Sequence, residues 1–467
     1  MSVPFHTSDA VTWSRGRLAG GTGLTEFRGA GIDTRTIAPD ELFVAIRGEN
    51  HDAHGFLDQA IERGASGVVV EDAWLAENSP PQGVCTVAVA DTTPALAGLA
   101  HGHRSLFAGP VVAVTGSNGK TTTKELIHSI LSVKGPCLKN QGNLNNEFGL
   151  PLTLLGRESQ HERVVVELGM NHRGEIARLT AIANPDIGLV TNIGSAHIEF
   201  LGSREQIAEE KGDLIAGLGP GTTAILNHDD ALAMTQAKRA PGTLQTFGLG
   251  AGADFSAEDV CSSVTGHYSF QLITPEGRIK IRIQGLAETT VINALAASAA
   301  CLAAGAKLEE IAQGLDEFQG VPGRMATRPM AGGGHVIDDT YNANPQSMQS
   351  ALETLTGLDG SGRKIAVVGD MGELGDASEE AHRRVGQLAG KLGVDELFAV
   401  GQNAHLVAEE ALAAGIESDR VHIAETSEEI GESVRERVRS GDWVLVKGSR
   451  SMRMERLVAR LAAEETN

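Results

Sequence analysis

Residues 115–125, TGSNGKTTTKE, bring together the side chains that a triphosphate needs. The apolar run VVAV before them reads as a buried strand, and KTTTKELIHSIL after them as a helix. Gly116 and Gly119 supply the torsional freedom for a tight turn between the two. Backbone N–H groups at the start of the helix point into the turn, and the helix dipole favours an anion there. Gly116, Ser117, Asn118 and Gly119 would cradle phosphate oxygens, and Lys120 would add a point charge for the β- and γ-phosphates. The Thr121 hydroxyl suits Mg²⁺, with Thr122 beside it. A strand-turn-helix connection with an incidental lysine is the plain alternative. Strand, Gly-x-x-Gly-Lys-Thr and helix together favour phosphate. The common G-x-x-x-x-G-K-T loop of GTPases and kinases is excluded, because it needs glycine where Val114 stands.

Other residues with chemical potential sit where strands end. Glu167 closes the apolar run VVVELG, and the carboxyl edge of a parallel sheet faces the ligand crevice. His197 follows VTNIG. Lys211, in AEEKGDL, reads on residues alone as a helix-surface lysine paired with Glu209 or Glu210. The planar fork of Arg324 suits a phosphate oxygen. The carboxylate of Asp339 suits ribose hydroxyls, although an Asn/Asp-rich turn is a credible competitor for IDDTYNAN. The stretch KIAVVGDMGELG is G-x-x-G-x-x-G, not the dinucleotide fingerprint. Lys447, Ser449 and Arg450 set three donors at another strand end, either for a carboxylate-bearing peptide or as a solvated basic turn.

These positions need a framework of several units. A chain of 467 residues exceeds what one hydrophobic core serves. With 57 glycines and only 4% aromatics, an Ala/Val/Leu-packed α/β protein is expected. Residues 1–108 read as a small α/β domain of short strands and one helix, FLDQAIERGAS. Residues 109–320 alternate strands and helices, which predicts a mostly parallel sheet covered by helices on both faces. The pattern restarts beyond FQGVPGRM, so residues 321–467 read as a Rossmann-like α/β domain. A net charge of -21 argues against a general nucleic-acid binder. The apolar stretch VINALAASAACLAAGA is short and alanine-rich, a buried helix and not a membrane span. Cys85, Cys137, Cys261 and Cys301 are scattered, and no signal-type stretch is visible at the N-terminus, so a reducing cytoplasm is expected.

The shortened loop TGxxGKTT resembles that of the Mur ligase family, the ATP-dependent amide-forming enzymes of peptidoglycan precursor synthesis. The likeness extends over nearly the whole chain, through GNLNNEFGLPLTLL (142–155), VVVELGMNHRGEI (164–176), IDDTYNANP (337–345), GDMGELG (369–375) and KGSRSMRME (447–455). These stretches imply the activity that joins D-alanyl-D-alanine to UDP-N-acetylmuramoyl-tripeptide. The DNPR stretch of the ligase that adds the third residue is absent. By resemblance, Glu167 bridges Mg²⁺, His197 contributes at a second metal, and Lys211 is carbamylated, which would turn a repelling ammonium into an anionic oxygen ligand. Asn293 matches a residue near the adenine, although Thr289 and Thr290 replace the usual His-Asn pair. Arg324 and Asp339 reach toward ATP from the third domain, with Asn342 and Asn344 shaping the loop. Asn342, Lys447, Ser449 and Arg450 fall on the dipeptide side. Asp33, Thr34, Arg35 and Gly48 are the candidates for uridine and diphosphate, in a segment where Ala53 replaces a family glycine.

The resemblance implies phosphorylation of the tripeptide carboxylate by ATP, then attack by the dipeptide amine, in a monomer. Two other readings compete with it. A folate-type ligase is opposed by the N-terminal UDP-type segment. An ATP-binding regulator without catalysis is opposed by the presence of Lys120, Glu167, His197 and Lys211.

Overall fold

The computed structural model describes residues 2–48, 50–263 and 266–463. Its centre is a six-stranded sheet in the order Thr243–Phe247, Thr223–Asn227, Ile187–Val190, Val111–Thr115, Arg163–Glu167, Cys137–Lys139. Every pairing in it is parallel. Strand Val111–Thr115 comes first in the chain yet lies inside the sheet, so successive crossovers leave it in opposite directions. A crevice opens at the carboxyl end of such a strand, and the phosphate loop lies there. The four inner strands are mostly buried, apolar runs because helices cover both faces. Lys120–Ser132, Thr289–Ala303 and Leu308–Asp316 pack on one face, and Glu175–Ala183 and Arg204–Ala216 on the other.

A three-stranded antiparallel sheet, Ser256–Ser263, His267–Thr274 and Gly277–Gln284, interrupts the alternation. The C-terminal unit carries its own six-stranded sheet in the order Ala326–Pro329, His335–Asp339, Trp443–Lys447, Lys364–Gly369, Glu396–Val400, Val421–Ala424. Only its first strand is antiparallel.

The N-terminal unit corrects the expectation of one helix. Its five-stranded sheet is accompanied by Thr7–Ser14 and Thr92–Ser105 as well as Leu57–Glu62 and Asp72–Leu75. Glycines obscured Thr92–Ser105. A Cβ on Gly102 would lie 2.1 Å from the Trp13 ring, and one on Gly98 would lie 2.2 Å from the Trp13 carbonyl. Close packing of two helices therefore requires residues that lower helix propensity.

Thr92–Ser105 also joins the first two units. Leu96, Leu99 and Ala100 share one core with Leu150, Leu154, Ile176 and Leu179. Arg104 closes the joint. It donates to the carbonyls of Ala183, Phe107 and Asn184 at 3.0, 2.9 and 2.9 Å, and to Asp186 Oδ2 at 3.0 Å. Arg104→Met should leave the buried carbonyls of Ala183 and Phe107 without this donor and cost about 2–3 kcal/mol. The expected result is a first thermal transition several degrees lower, measured by calorimetry. An unchanged transition would mean that the shared apolar core alone holds the two units.

Candidate active site

The loop after Val111–Thr115 has the predicted shape. Gly116 has φ 149° and Gly119 φ 79°. A Cβ on Gly116 would meet Thr191 Oγ1 at 1.8 Å, so this position has no room for a side chain. The neighbouring strand end braces the loop. Ser117 N–H donates to Asn192 O at 2.9 Å, Asn118 N–H to Asn192 Oδ1 at 3.0 Å, and Thr191 Oγ1 to Asn118 O at 2.6 Å. Lys120 Nζ folds back onto the carbonyls of Gly116 and Ser117 at 2.8 and 3.2 Å. Burial pushes the Lys120 ammonium below its ordinary pKa, while Glu167 and Glu373 oppose the shift.

Glu167 is 3% exposed and held at both oxygens. Thr121 Oγ1 donates to one at 2.8 Å and Asn145 Nδ2 to the other at 2.9 Å. Asn140 fixes the backbone on either side of this carboxylate. Its Oδ1 accepts from Glu167 N–H at 2.9 Å, and its Nδ2 donates to Glu167 O at 3.0 Å and Leu144 O at 2.9 Å. Neither Asn140 nor Asn145 was singled out from sequence, although Asn145 lies inside GNLNNEFGLPLTLL.

The surface-lysine reading of Lys211 is corrected. The residue is 1% exposed, and Glu210 accepts from Gly174 N–H and Ile176 N–H at 2.7 and 3.0 Å instead of pairing with a solvated lysine. Lys211 lines the same cleft as Lys120 and Glu167. Burial, then the nearby Lys120, push its pKa well below the ordinary lysine value.

The third unit closes over the loop. Arg324 Nη2 donates to Thr121 Oγ1 at 2.8 Å. Asn344 caps helix Pro345–Thr356, and its Nδ2 donates to Asn118 Oδ1 at 2.8 Å. His197, with φ 64°, places Nδ1 2.7 Å from Oε2 of Glu373, whose φ is 59°. His197 holds the Glu373 carboxyl below its ordinary pKa. Glu373 lies in GDMGELG, where nothing in the local pattern marks it for a role.

The buried Lys447 pairs with the partly buried Asp339 at 2.6 Å, and Lys447 Nζ also donates to Asn342 O at 2.9 Å. Lys447 thus fastens the Asp339–Asn342 loop. Ser449 is 5% exposed, with its Oγ 3.0 Å from Ser451 Oγ, while Arg450 faces the cleft. Asn293 turns toward the phosphate loop, accepting from Thr123 Oγ1 at 3.3 Å, and Thr289, Thr290 and Thr122 line the cleft near it.

The cleft holds about 1210 Å³, more than the roughly 300–1,000 Å³ of a single small-molecule site. Asp33, Thr34, Arg35 and Gly48 are not among its lining residues. They belong to the N-terminal unit, where Asp33 pairs with Arg35 at 2.6 Å and has its pKa lowered to about 2 by that hydrogen bond. Thr34 Oγ1 donates to Gln59 Oε1 at 2.5 Å, and Gly48 N–H to His51 O at 2.9 Å.

Among the described residues, no group of three or more His, Cys, Asp or Glu side chains could hold a metal ion. One carboxylate beside one hydroxyl fits Mg²⁺, which keeps its waters and takes phosphate oxygens, better than a metal that needs a protein cage.

Fold and site define a three-unit α/β protein with a phosphate loop enclosed between its second and third units. The chain belongs to the Mur ligase family. Residues 26–104 match the Mur ligase family catalytic domain, 114–301 the Mur ligase middle domain, and 323–450 the Mur ligase glutamate ligase domain. It is 37% identical over 441 residues to the UDP-N-acetylmuramoyl-tripeptide–D-alanyl-D-alanine ligase of Escherichia coli, covering 93% of each chain. It is 36% identical over 438 residues to that of Bacillus subtilis, covering 94% of this chain and 93% of the relative. A crystal structure of MurF from Acinetobacter baumannii superposes with a TM-score of 0.87 at 34% identity, with 98% of each chain covered. MurF ligase from Thermotoga maritima in complex with ADP gives 0.81 at 30% identity, covering 92% of this chain and 96% of that one.

Proposed function

We propose that the protein joins D-alanyl-D-alanine to the terminal carboxylate of UDP-N-acetylmuramoyl-tripeptide, with ATP converted to ADP and phosphate. The observation that carries this reading is the phosphate loop, with Lys120 and Arg324 beside it and Glu167 and Lys211 in the same cleft, in a chain alike end to end to ligases of that name.

Gly116 to Thr122 seat the ATP phosphates. The tripeptide carboxylate attacks the γ-phosphorus, the bond to the β-phosphate oxygen breaks, and an acyl phosphate forms. The amine of the dipeptide then attacks the acyl carbon, and phosphate leaves. Two anions must meet in the first step, so fixed positive charge is the protein's main contribution. Lys120 supplies it from the loop and Arg324 from the third unit. Thr121 and Glu167 would hold Mg²⁺, and His197 and a carbamylated Lys211 would serve a second ion. Bound magnesium neutralises charge on the phosphate oxygens. Asn293 and Asp339 face the nucleoside, while Asn342, Lys447, Ser449 and Arg450 shape the dipeptide side. Asp33, Thr34, Arg35 and Gly48 hold the UDP end. Residues 1–108, 109–320 and 321–467 act as the corresponding domains of a cytoplasmic monomer. No helix among the described residues is long and apolar enough to cross a membrane.

The direct test is phosphate release from ATP, Mg²⁺ and UDP-N-acetylmuramoyl-tripeptide, with and without D-alanyl-D-alanine. Tripeptides ending in meso-diaminopimelate and in L-lysine should both be tried. Release that depends on the dipeptide, with a UDP-pentapeptide mass, is expected. ATP hydrolysis without joining would leave the phosphate loop standing and remove the substrate assignment.

A further inference from the structure

Tyr341 has no part in the mechanism above, yet its ring touches both arginines that the third unit brings to the cleft. The Arg324 guanidinium carbon sits 4.0 Å above the ring centroid, and that of Arg450 is 6.0 Å from it. The backbone around the first contact is locked. Tyr341 N–H donates to Gly323 O at 3.1 Å, Gly323 N–H to Asp338 Oδ2 at 3.2 Å, and Met325 N–H to Asp339 Oδ1 at 3.2 Å. Gly323 and Met325 both adopt positive φ, 74° and 55°, so the turn carrying Arg324 is folded tightly over the ring.

Arg324 itself is incompletely satisfied. One end reaches Thr121 Oγ1, while its Nε is buried with no hydrogen-bond partner among the described residues. An arginine loses much rotamer freedom when held in one pose. A desolvated guanidinium over an aromatic face offsets that loss through the ring quadrupole.

We propose that Tyr341 is a positioning residue for nucleotide use. Its ring face holds the Arg324 guanidinium across the gap between units, aimed at Thr121 and the phosphate loop. This rests on the reading that Arg324 meets an ATP phosphate. The ring face does the work, because it is the centre of the ring that the Arg324 guanidinium lies over, at 4.0 Å.

Four variants test this: Tyr341→Leu, Tyr341→Phe, Arg324→Ala and the double variant Tyr341→Leu/Arg324→Ala. Each is measured for kcat and KM with ATP and UDP-tripeptide, and for calorimetric binding of a non-hydrolysable ATP analogue. Tyr341→Leu should lose about tenfold in kcat/KM for ATP and weaken analogue binding, with the tripeptide KM held within about twofold. Tyr341→Phe should recover most of that loss. In the Arg324→Ala background, Tyr341→Leu should cost nothing further. Additive losses would overturn the proposal, since the ring would then act without Arg324. Equal damage from Phe and Leu would also overturn it, by assigning the effect to the hydroxyl. If the parent chain binds the analogue but never joins the dipeptide, the functional reading fails, and the calorimetric cycle still decides the role of Tyr341.

Discussion

Replacing Lys211 by alanine is expected to lower dipeptide-dependent phosphate release on the order of 10³-fold, and added formate or acetate to restore part of it. The argument starts from burial. Lys211 lies on helix Arg204–Ala216 at 1% exposure, close enough to Lys120 for the two cations to disfavour one another. Burial and the neighbouring cation make an ammonium there costly and shift the lysine toward its neutral amine. A neutral amine is the form that adds carbon dioxide: its lone pair bonds to carbon, electrons move to oxygen, and one proton leaves nitrogen. The resulting carbamate carries a negative charge that Lys120 attracts. A short carboxylate diffusing into the space left by alanine replaces that charge. Full activity of Lys211→Ala without added carboxylate would exclude the carbamate.

The same burial makes a stability prediction of definite sign. The folded-state pKa of Lys211 lies below the unfolded value. The unfolded chain therefore binds more protons, and this group's contribution to stability rises with pH between the two values. In buffer free of carbon dioxide, Lys211→Met should melt higher than the parent at pH 7, with a smaller gap at pH 9.5. An equal gap at both would mean that the lysine is charged in the folded chain.

Much of this arrangement was legible because it is local. TGSNGKTTTKE specifies a turn, a cation and a helix start within a few residues, and the structure reproduces each. The parallel sheets were legible because strands buried on both faces are continuous apolar runs, as in VVVE and IAVV. Contacts that join distant segments were not. His197 meets Glu373, and Thr121 meets Arg324 across 203 positions. Such pairs arise from the docking of two units, for which no periodicity exists in the chain. The antiparallel strands were hidden differently. SAEDVCSS is mostly exposed, so little apolar alternation marks Ser256–Ser263. Lys211 shows that local pattern can mislead: charged neighbours on a helix suggested solvent, and the cleft took the lysine instead. Family likeness supplied that position where the residues alone did not.

Glu167→Gln should be the most damaging isosteric change in the cleft, with a loss on the order of 10³-fold in phosphate release and a melting temperature within a few degrees of the parent. Glutamine keeps the volume and the backbone bonds to Asn140, so the strand end remains fixed. What changes is charge and donor polarity. Both oxygens of Glu167 accept from neutral groups, Thr121 Oγ1 and Asn145 Nδ2. Among the described residues the negative charge has no ion pair of its own, and it acts at a distance on Lys120 and Lys211, both of which it favours in the charged form. A glutamine amide turned toward Asn145 sets two donors against each other. Turned toward Thr121, it forces the hydroxyl to accept and withdraws it from a metal. In either orientation the carboxylate beside Thr121 is lost, and a hard cation loses its charged ligand. Mn²⁺ titration followed by electron paramagnetic resonance, with a non-hydrolysable ATP analogue bound, should show weakened binding in parallel with the activity. Unaltered Mn²⁺ binding beside lost activity would move Glu167 from metal ligation to the electrostatics of the two lysines.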